Sequence, residues 1–390
     1  MTNQVFSQLS EAQLHASQQC SQRIKQRVRD KGNIGFDEFM QIALFDSDYG
    51  YYQRKDEIFG AGGDFTTVPE TSDHLAFCLA HAAAKIINND SNTAILEIGA
   101  GSGKLCCEVL QTLSNLDMLP ERYYIYETSA KLRDRQRALI TKELPEFVEH
   151  VHWLDDLSCE IETAIIIANE VLDALPVKCF QMKEQGIKEK VVALNDAGEF
   201  NWSLKIPNDA LTEALDSIVT VFDESFTEAY ESEINPNLES TLASWASICK
   251  KCVMLLIDYG YPRHEYYHPQ RNMGTLRSYY KHQVSEDVLA FPGLQDITAD
   301  VDFTAIAEVA DKLNMKVLSF GSQRNFMLAN QLLDWQPNTD DEVERLAQIA
   351  QLKQLTLGSA ISERFQVMVL GKKMYFDAKQ FTLRDMRARL

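Results

Sequence analysis

The glycine-rich turn between residues 95 and 105 restricts the fold of this chain more than any other segment. An apolar strand-like run leads into Gly99, Ala100, Gly101 and Gly103, and a helical pattern follows directly. Glycine adopts positive φ at little cost and lets the backbone approach a ligand closely. An apolar strand, a glycine turn and a helix in this order predict the start of an α/β sheet that binds a nucleotide-like ligand.

The segments around this turn alternate between strand-like and helix-like patterns. Short apolar runs predict strands at Ala94–Ile98, Tyr123–Tyr126, Val148–Trp153, Ala164–Ala168 and Val253–Ile257. Amphipathic runs predict helices at 104–115 and 129–142, and the runs Lys316–Phe320 and Phe365–Leu370 predict an antiparallel pair that closes the sheet. Such alternation predicts an α/β fold with a doubly wound, mostly parallel sheet.

Two regions interrupt the alternation. Residues 177–206 contain three strand-like pieces and predict a β-meander, and the stretches 208–231 and 237–250 predict helices. We therefore expect three parts. Residues 1–75 form a helical and loop region that covers the site, and residues 76–176 with 251–375 form a Rossmann-like domain. Residues 177–250 form a β and helical insertion on the substrate side.

Composition limits the classes of partner. The formal net charge of −19 repels phosphate backbones and anionic lipid, so we expect neither nucleic acid nor a membrane as partner. The eight cysteines are scattered, and the C-x-x-C pair of Cys249 and Cys252 lacks a second pair or a histidine pair at zinc spacing, so we expect no metal. Residues 1–10 have no leader-like pattern, and this predicts a cytoplasmic location.

The residues next to the glycine turn bear on which cofactor it binds. Dinucleotide sites favour G-x-G-x-x-G, whereas this chain has G-x-G-x-G with Glu97 two residues before the first glycine. A carboxylate repels a pyrophosphate but attracts the ammonium and sulfonium of S-adenosyl-L-methionine. We therefore predict S-adenosyl-L-methionine as the cofactor, with NAD, FAD or a purely structural turn as alternatives.

Further polar residues follow the next strands. Glu127, with Thr128 beside it, ends the second strand and is placed to accept from ribose hydroxyls, or alternatively to cap the following helix. After the third strand, Asp155 or its neighbour Asp156 is a candidate for the adenine amino group, with Leu154 against the ring. Helix capping is again the alternative.

The end of the fourth strand carries the candidates nearest to the chemistry. Asn169, Glu170 and Asp173 follow a wholly apolar run, so they belong at the carboxyl edge of the sheet where ligands bind in open α/β folds. We assign Asn169 to the cofactor, and Glu170 and Asp173 to catalysis. The alternative is that these polar residues only form a turn.

Several segments together carry a resemblance to a known family. They are Gly63–Glu70, Glu97–Leu105, Asn169–Pro176, Leu256–Gly260, Asp296–Phe303 and Ser362–Phe365. With them the chain resembles the MidA family of class I S-adenosylmethionine-dependent methyltransferases, which includes mitochondrial complex I assembly methyltransferases. The family often has G-P-G-R-G where this chain has G-A-G-S-G, which keeps all three glycines.

The resemblance implies a seven-stranded class I methyltransferase fold and methylation of a protein arginine. An arginine nucleophile needs carboxylates that orient the guanidinium and accept its proton. Glu170 and Asp173 are the first candidates, followed by Glu70 on the N-terminal loop. The expected partner is an arginine-bearing protein such as a respiratory-complex-like subunit, with a homodimer as a possible assembly. Alternatives are a small-molecule N- or O-methyltransferase, an oxidoreductase, or a non-catalytic assembly protein.

Overall fold

The computed structural model describes residues 9–54, 73–357 and 364–390, apart from 185, 223–225, 227–228, 282, 338 and 340. The helices are α1 (Glu11–Lys31), α2 (Phe36–Phe45), α3 (His74–Ile87), α4 (Lys104–Asn115), α5 (Ala130–Glu143), α6 (Asp209–Asp216), α7 (Leu238–Ser247), α8 (Arg263–Tyr266), α9 (Phe303–Lys312), α10 (Gln323–Ala329) and α11 (Glu342–Leu357). Single 3-10 turns lie at Tyr51–Gln53, Pro145–His150, Val219–Val221, Leu332–Asp334, Ala378–Gln380 and Arg387–Arg389.

The strands are distributed over the whole described chain. They are β1 (Ile34–Gly35), β2 (Thr93–Ile98), β3 (Tyr123–Tyr126), β4 (Val151–Leu154), β5 (Ile161–Asn169), β6 (Lys178–Lys183), β7 (Gly186–Leu194), β8 (Phe200–Lys205), β9 (Glu231–Ile234), β10 (Cys249–Tyr261), β11 (Arg277–Tyr280), β12 (Gln283–Ser285), β13 (Asp296–Thr298), β14 (Val301–Asp302), β15 (Lys316–Ser322) and β16 (Phe365–Lys372).

The chain divides into two compact units. The first comprises the described residues within 1–66, 173–238 and 262–302, and the second those within 67–172, 239–261 and 303–390. Residues 262–302 therefore group with the first unit, whereas the sequence had placed them with the sheet domain. We call these parts the first and the second unit below.

The second unit contains a mixed sheet with the strand order β15-β16-β10-β5-β2-β3-β4. The neighbours from β10 to β4 pair in parallel, and β16 runs antiparallel to both β10 and β15. The antiparallel pair expected near the end of the chain is thus confirmed. Strands β2, β5 and β10 are buried almost throughout, which explains why their sequences are continuous apolar runs and do not alternate.

One strand of this sheet is shorter than predicted. Residues 148–153 were expected to form a strand, but Pro145–His150 is a 3-10 helix and β4 begins only at Val151. Pro145 at the start of that turn has a φ that suits a helical turn and has no backbone N–H to donate to a ladder. The polar residues before Val151 therefore lie outside the sheet.

The first unit is built around antiparallel strands. Its larger sheet has the order β1-β7-β6-β9 with β8 beside β7, and a smaller one has the order β12-β11-β13. The predicted meander is confirmed as β6, β7 and β8. Helices α1 and α2 pack into the same apolar core, in which Ile24, Phe36, Phe39 and Val192 are fully or almost fully buried.

The predicted helix over 208–231 is wrong for most of its length. Helix α6 ends at Asp216, a 3-10 turn follows at Val219–Val221, and residue 231 already belongs to β9. The β-branched residues after Ser217 lose side-chain freedom in a helix, so they extend it poorly.

No helix in the described part of the chain is long and apolar enough to span a bilayer.

Candidate functional site

The glycine turn lies between the end of β2 and the start of α4, in the second unit. Gly103 has φ +88° and is the N-cap of α4, and a Cβ there would lie 3.2 Å from Gln136 Cγ. Gly99 has φ +66°, and a Cβ there would lie 3.1 Å from Val171 Cγ2. Both positions therefore require glycine for conformation and for space. Ala100, between them, is buried in the core of this unit.

Glu97 is buried beneath this turn. Its carboxylate accepts a hydrogen bond from the Tyr123 hydroxyl at 2.7 Å. Burial raises the pKa of Glu97 to about 7, the Tyr123 hydroxyl opposes that rise, and the charge of Glu127 adds to it. The side chain is thus poised between its neutral and charged forms near neutral pH. A nearby cation would favour the charged form.

Glu127 lies directly after β3 and is almost fully buried. One carboxylate oxygen accepts from the Ser129 backbone N–H at 2.9 Å, and the other lies 3.3 Å from Gln136 Nε2. Burial raises its pKa, and these hydrogen bonds oppose the rise. The N-cap of α5 is Ser129, whose hydroxyl accepts from the Leu132 N–H, so Glu127 supports the start of the helix without capping it. Its carboxylate keeps lone pairs for a ligand. Thr128, the next residue, is exposed.

Asp155 and Leu154 are held by Arg133 of α5. The Arg133 guanidinium donates to Asp155 Oδ1 at 2.6 Å and to the Leu154 carbonyl at 2.8 Å, and its Nε donates to the Glu127 carbonyl. The Asp155 side chain is 93% exposed. Arg133 therefore joins the loops that follow β3 and β4, a contact that the sequence did not reveal.

Gln136, one turn further along α5, is the residue that sequence reasoning missed. It is fully buried and contacts the glycine turn, Glu127 and Trp153. A polar residue in the middle of a helix carries no motif, so the only available signal was its position one turn after the residue at 132. That signal is too weak to single it out.

Asn169 and Glu170 end β5 at the same edge of the sheet. Glu170 has φ +51°, an uncommon conformation for a non-glycine residue, and its N–H donates to the Ile257 carbonyl at 2.9 Å. The Asn169 amide nitrogen lies 3.4 Å from Glu170 Oε1. The buried carboxamide oxygen of Asn169 accepts no hydrogen bond from any residue that the structure describes.

Asp258 of β10 supports the turn after Glu170. It is fully buried and accepts from the backbone N–H groups of Leu172 at 3.0 Å and Tyr259 at 2.9 Å. A carboxylate that accepts two backbone hydrogen bonds holds the chain in place. Asp258 therefore joins the end of β10 to the backbone at Leu172, two residues after Glu170.

Asp173 belongs to the first unit and is buried there. Its carbonyl accepts from the Ala299 N–H at 3.0 Å. The Tyr52 hydroxyl donates a hydrogen bond to Asp296 at 3.1 Å. Burial raises the pKa of Tyr52 well above its ordinary value, and the negative charges of Asp296 and Asp173 add to the rise. Glu70, the third catalytic candidate, lies outside the described residues.

The remaining expectations concern metals. Among the described residues, no group of three or more histidine, cysteine or acidic side chains is arranged to hold a metal ion. Cys249 and Cys252 are buried in β10.

The donor set fits an S-adenosyl group. Acids stand at the ends of β2 and β3, a glycine turn admits close approach, and Asn169 offers a buried acceptor at the end of β5. Parallel strands with polar residues at their carboxyl ends are typical of α/β proteins that bind a nucleoside-containing ligand. The comparisons with known proteins specify the family.

The chain belongs to the S-adenosyl-L-methionine-dependent methyltransferase family whose sequence model matches residues 78–321. The protein arginine methyltransferase NDUFAF7, mitochondrial, of Danio rerio is 29% identical over 327 residues, which are 76% of this chain and 72% of that protein. The Rattus norvegicus protein of the same name is 28% identical over 339 residues, 77% of this chain and 71% of its own length.

Solved structures agree with this assignment. A crystal structure from Burkholderia thailandensis with bound S-adenosyl-homocysteine is 30% identical, with a TM-score of 0.91 over 98% of this chain and 99% of that one. A native crystal structure from the same organism is 29% identical with a TM-score of 0.87 over the same shares. The fold is thus that of an α/β methyltransferase, and S-adenosyl-L-methionine is its cofactor.

These findings confirm the resemblance to the MidA family and the cofactor prediction, and they set aside the oxidoreductase alternative. They also correct one expectation. The named relatives are mitochondrial proteins, so the cytoplasmic location inferred from the first residues is wrong.

Proposed function

We propose that this methyltransferase acts on an arginine side chain of a protein. The relatives named above as protein arginine methyltransferases support this substrate class. The observation that carries the proposal within the chain is Glu170. Its left-handed backbone at the end of β5 and the brace from Asp258 indicate an acid held in a costly conformation at a functional edge.

The cofactor residues are part of the same proposal. S-adenosyl-L-methionine supplies a methyl group on a sulfonium, and we assign its contacts to the turn and to the acids and polar groups at the strand ends. These residues are Glu97, Gly99, Ala100, Gly101, Gly103, Glu127, Thr128, Leu154, Asp155 and Asn169. The exposed Asp155 and Thr128 are the weakest members by burial. Buried Glu97 and Glu127 are the strongest.

The proposed reaction is an in-line displacement. A guanidinium nitrogen forms a bond to the methyl carbon as the carbon–sulfur bond breaks. The electron pair of the broken bond stays on sulfur, which becomes a thioether. The Glu170 carboxylate orients the guanidinium and accepts the proton that the nitrogen loses, before passing it to water. Asp173 is the second catalytic candidate in this proposal and Glu70 is the third.

The finer fold assignment belongs to this proposal as well. The order of the seven strands from β15 to β4 supports a class I methyltransferase sheet, wound on both faces. We propose that the inserted residues 177–250 bind the substrate. A net charge of −19 favours a basic protein segment over nucleic acid or anionic lipid. A respiratory-complex-like subunit is the candidate partner, and light scattering tests the proposed homodimer.

Mass spectrometry of proteins from cells with and without the enzyme tests the substrate class. We expect methylarginine at sites that depend on the intact gene. In purified form, Glu170→Gln should lower methyl transfer by at least about 10²-fold, the usual contribution of a positioned base, and leave S-adenosyl-homocysteine binding within about 2-fold. Dependent marks on other residues, or on small molecules alone, would refute the arginine assignment.

A further inference from the structure

Gln136 makes three hydrogen bonds whose donors and acceptors are unambiguous. Its carboxamide nitrogen donates to the Gly101 carbonyl at 3.0 Å and lies 3.3 Å from Glu127 Oε2. Its oxygen accepts from Trp153 Nε1 at 2.9 Å. A carbonyl and a carboxylate only accept, and an indole N–H only donates, so the orientation of the amide is determined by its partners.

The side chain also packs against the helix start. A Cβ at Gly103 would lie 3.2 to 3.3 Å from Gln136 Cγ, Cα and Cβ, so the turn lies directly against this residue. Gln136 is fully buried on α5. It therefore contacts the glycine turn at Gly101 and Gly103, as well as Glu127 after β3.

The pairing solves an electrostatic problem. The Gly101 carbonyl and the Glu127 carboxylate are both acceptors, and they approach the same amide group. An NH₂ carries two protons, so it serves both oxygens at once and offsets their mutual repulsion. Without it, the buried Glu127 carboxylate and the partly buried Gly101 carbonyl each lose one donor, and an unsatisfied buried acceptor costs about 1–3 kcal/mol.

We propose that Gln136 is the positioning residue for cofactor binding, because it holds the glycine turn and the Glu127 carboxylate in the arrangement that receives the ribose side of S-adenosyl-L-methionine. It does not touch the reacting atoms. This proposal rests on the cofactor contacts assigned above to Glu127 and the turn. It adds a residue that no motif marks.

Three variants separate the effect of the Gln136 hydrogen bonds from the effect of its side-chain volume. Gln136→Met keeps the length and the apolar packing but removes all three hydrogen bonds. Gln136→Glu keeps the shape and places a carboxylate against two acceptors. Trp153→Phe removes the indole N–H together with one ring of the side chain, and it serves as the matched control because it leaves the Gln136 amide nitrogen and both of its acceptors in place.

The dissociation constant of S-adenosyl-homocysteine is measured by calorimetry for each variant. We expect it to rise about 10- to 100-fold in Gln136→Met, at least as much in Gln136→Glu, and less than about 3-fold in Trp153→Phe. At saturating cofactor, kcat should stay within about 3-fold of the parent. Parent-like binding in Gln136→Met, or a fall in kcat with unchanged KM for the cofactor, would overturn the proposal.

A ligand comparison excludes a purely structural role. The 2′,3′-dideoxy analogue of S-adenosyl-homocysteine lacks the hydroxyls assigned to Glu127, so the Gln136→Met penalty should shrink by about 5-fold or more with it. An equal penalty for both ligands would show that Gln136 does not act through Glu127. If the parent protein itself fails to bind S-adenosyl-homocysteine, the cofactor assignment fails instead, and arginine specificity is not involved in either outcome.

Discussion

Buried acids occur in both units, but their partners differ. In the second unit, Glu127 meets a backbone N–H and a carboxamide at the end of a strand. In the first unit, Glu233 of β9 accepts from the Tyr266 hydroxyl at 2.9 Å and from the N–H and hydroxyl of Thr275. We propose that the first kind of acid binds a ligand at the carboxyl end of its strand, whereas the second joins protein segments to each other. Burial alone therefore does not distinguish a binding acid from a structural one.

The largest expected effect separates these two acids directly. Glu127→Ala should weaken S-adenosyl-homocysteine binding by about 100-fold, because a charged acceptor for the ribose is lost. Glu233→Ala should leave that binding within about 2-fold and lower the free energy of unfolding by about 2–4 kcal/mol, because several buried donors lose their acceptor. Calorimetry and denaturant unfolding measure the two quantities.

The comparison fails if the effects are exchanged. A Glu127→Ala protein that binds S-adenosyl-homocysteine normally but has a lower free energy of unfolding would show that Glu127 only supports the start of α5. A Glu233→Ala protein that keeps its stability but no longer binds S-adenosyl-homocysteine would show that the first unit contributes to cofactor binding.

Glu97 should make the second unit sensitive to pH. Its pKa is about 7 in the folded protein against 4.5 ordinarily, so the folded state binds more protons between these values. Its contribution to stability is complete below about pH 4.5 and is lost as the pH rises through about 7, a change of roughly 3 kcal/mol. Glu97→Gln cannot ionise, so this part of the pH dependence should disappear.

Unfolding free energies at pH 5 and pH 8 check this prediction, with the difference between variant and parent as the measured quantity. The unfolding free energy of Glu97→Gln should rise relative to that of the parent protein as the pH rises. A difference that is the same at both values would mean that Glu97 titrates near its ordinary pKa.

Two glycines with positive φ provide the next comparison. Gly103 has φ +88° and lies against Gln136, whereas Gly198 in the β7–β8 turn has φ +74° and nothing within 4 Å of an added Cβ. Gly103→Ala should cost about 2 kcal/mol of stability and weaken S-adenosyl-homocysteine binding more than 10-fold. Gly198→Ala should cost about 1 kcal/mol and leave binding unchanged.

Thermal melting and calorimetry on both variants check this pair. Equal losses of S-adenosyl-homocysteine affinity in Gly103→Ala and Gly198→Ala would show that the Gly103 effect arises from lower stability of the whole protein. An unchanged affinity in Gly103→Ala would show that the turn tolerates a Cβ and does not approach the cofactor closely.

The smallest effect is expected at a surface ion pair. Asp155 pairs with Arg133 but is 93% exposed, whereas Asp37 in the first unit pairs with Lys178 at 2.9 Å and is 23% exposed. Asp155→Asn should change stability by less than about 0.5 kcal/mol and Asp37→Asn by more, because solvent screens the exposed pair. Denaturant unfolding at low and high salt measures both. An affinity loss above about 5-fold in Asp155→Asn would instead support its proposed contact with adenine.

Sequence-based prediction succeeded unequally in the two units. In the second unit, helix 104–115 matches the structure, and the strands at 94 and 164 are correct to within a few residues at each end, because strands buried on both faces are unbroken apolar runs. In the first unit, 208–231 was taken for one helix and contains α6, a 3-10 turn and the start of β9. Short elements there take their conformation from antiparallel partners distant in the chain.

The order of apolar runs, glycines and acids along the chain was enough to predict an α/β sheet, the glycine turn and the cofactor class, because those features are local. The burial of Glu97, the Arg133 contact with Asp155 and the three bonds of Gln136 could be found only in the folded protein. Gln136 lies 35 residues from Gly101 and 17 from Trp153. Such contacts exist because parallel pairing brings the ends of β2, β3 and β4 to one edge and packs α5 against it, and no spacing in the sequence encodes that proximity.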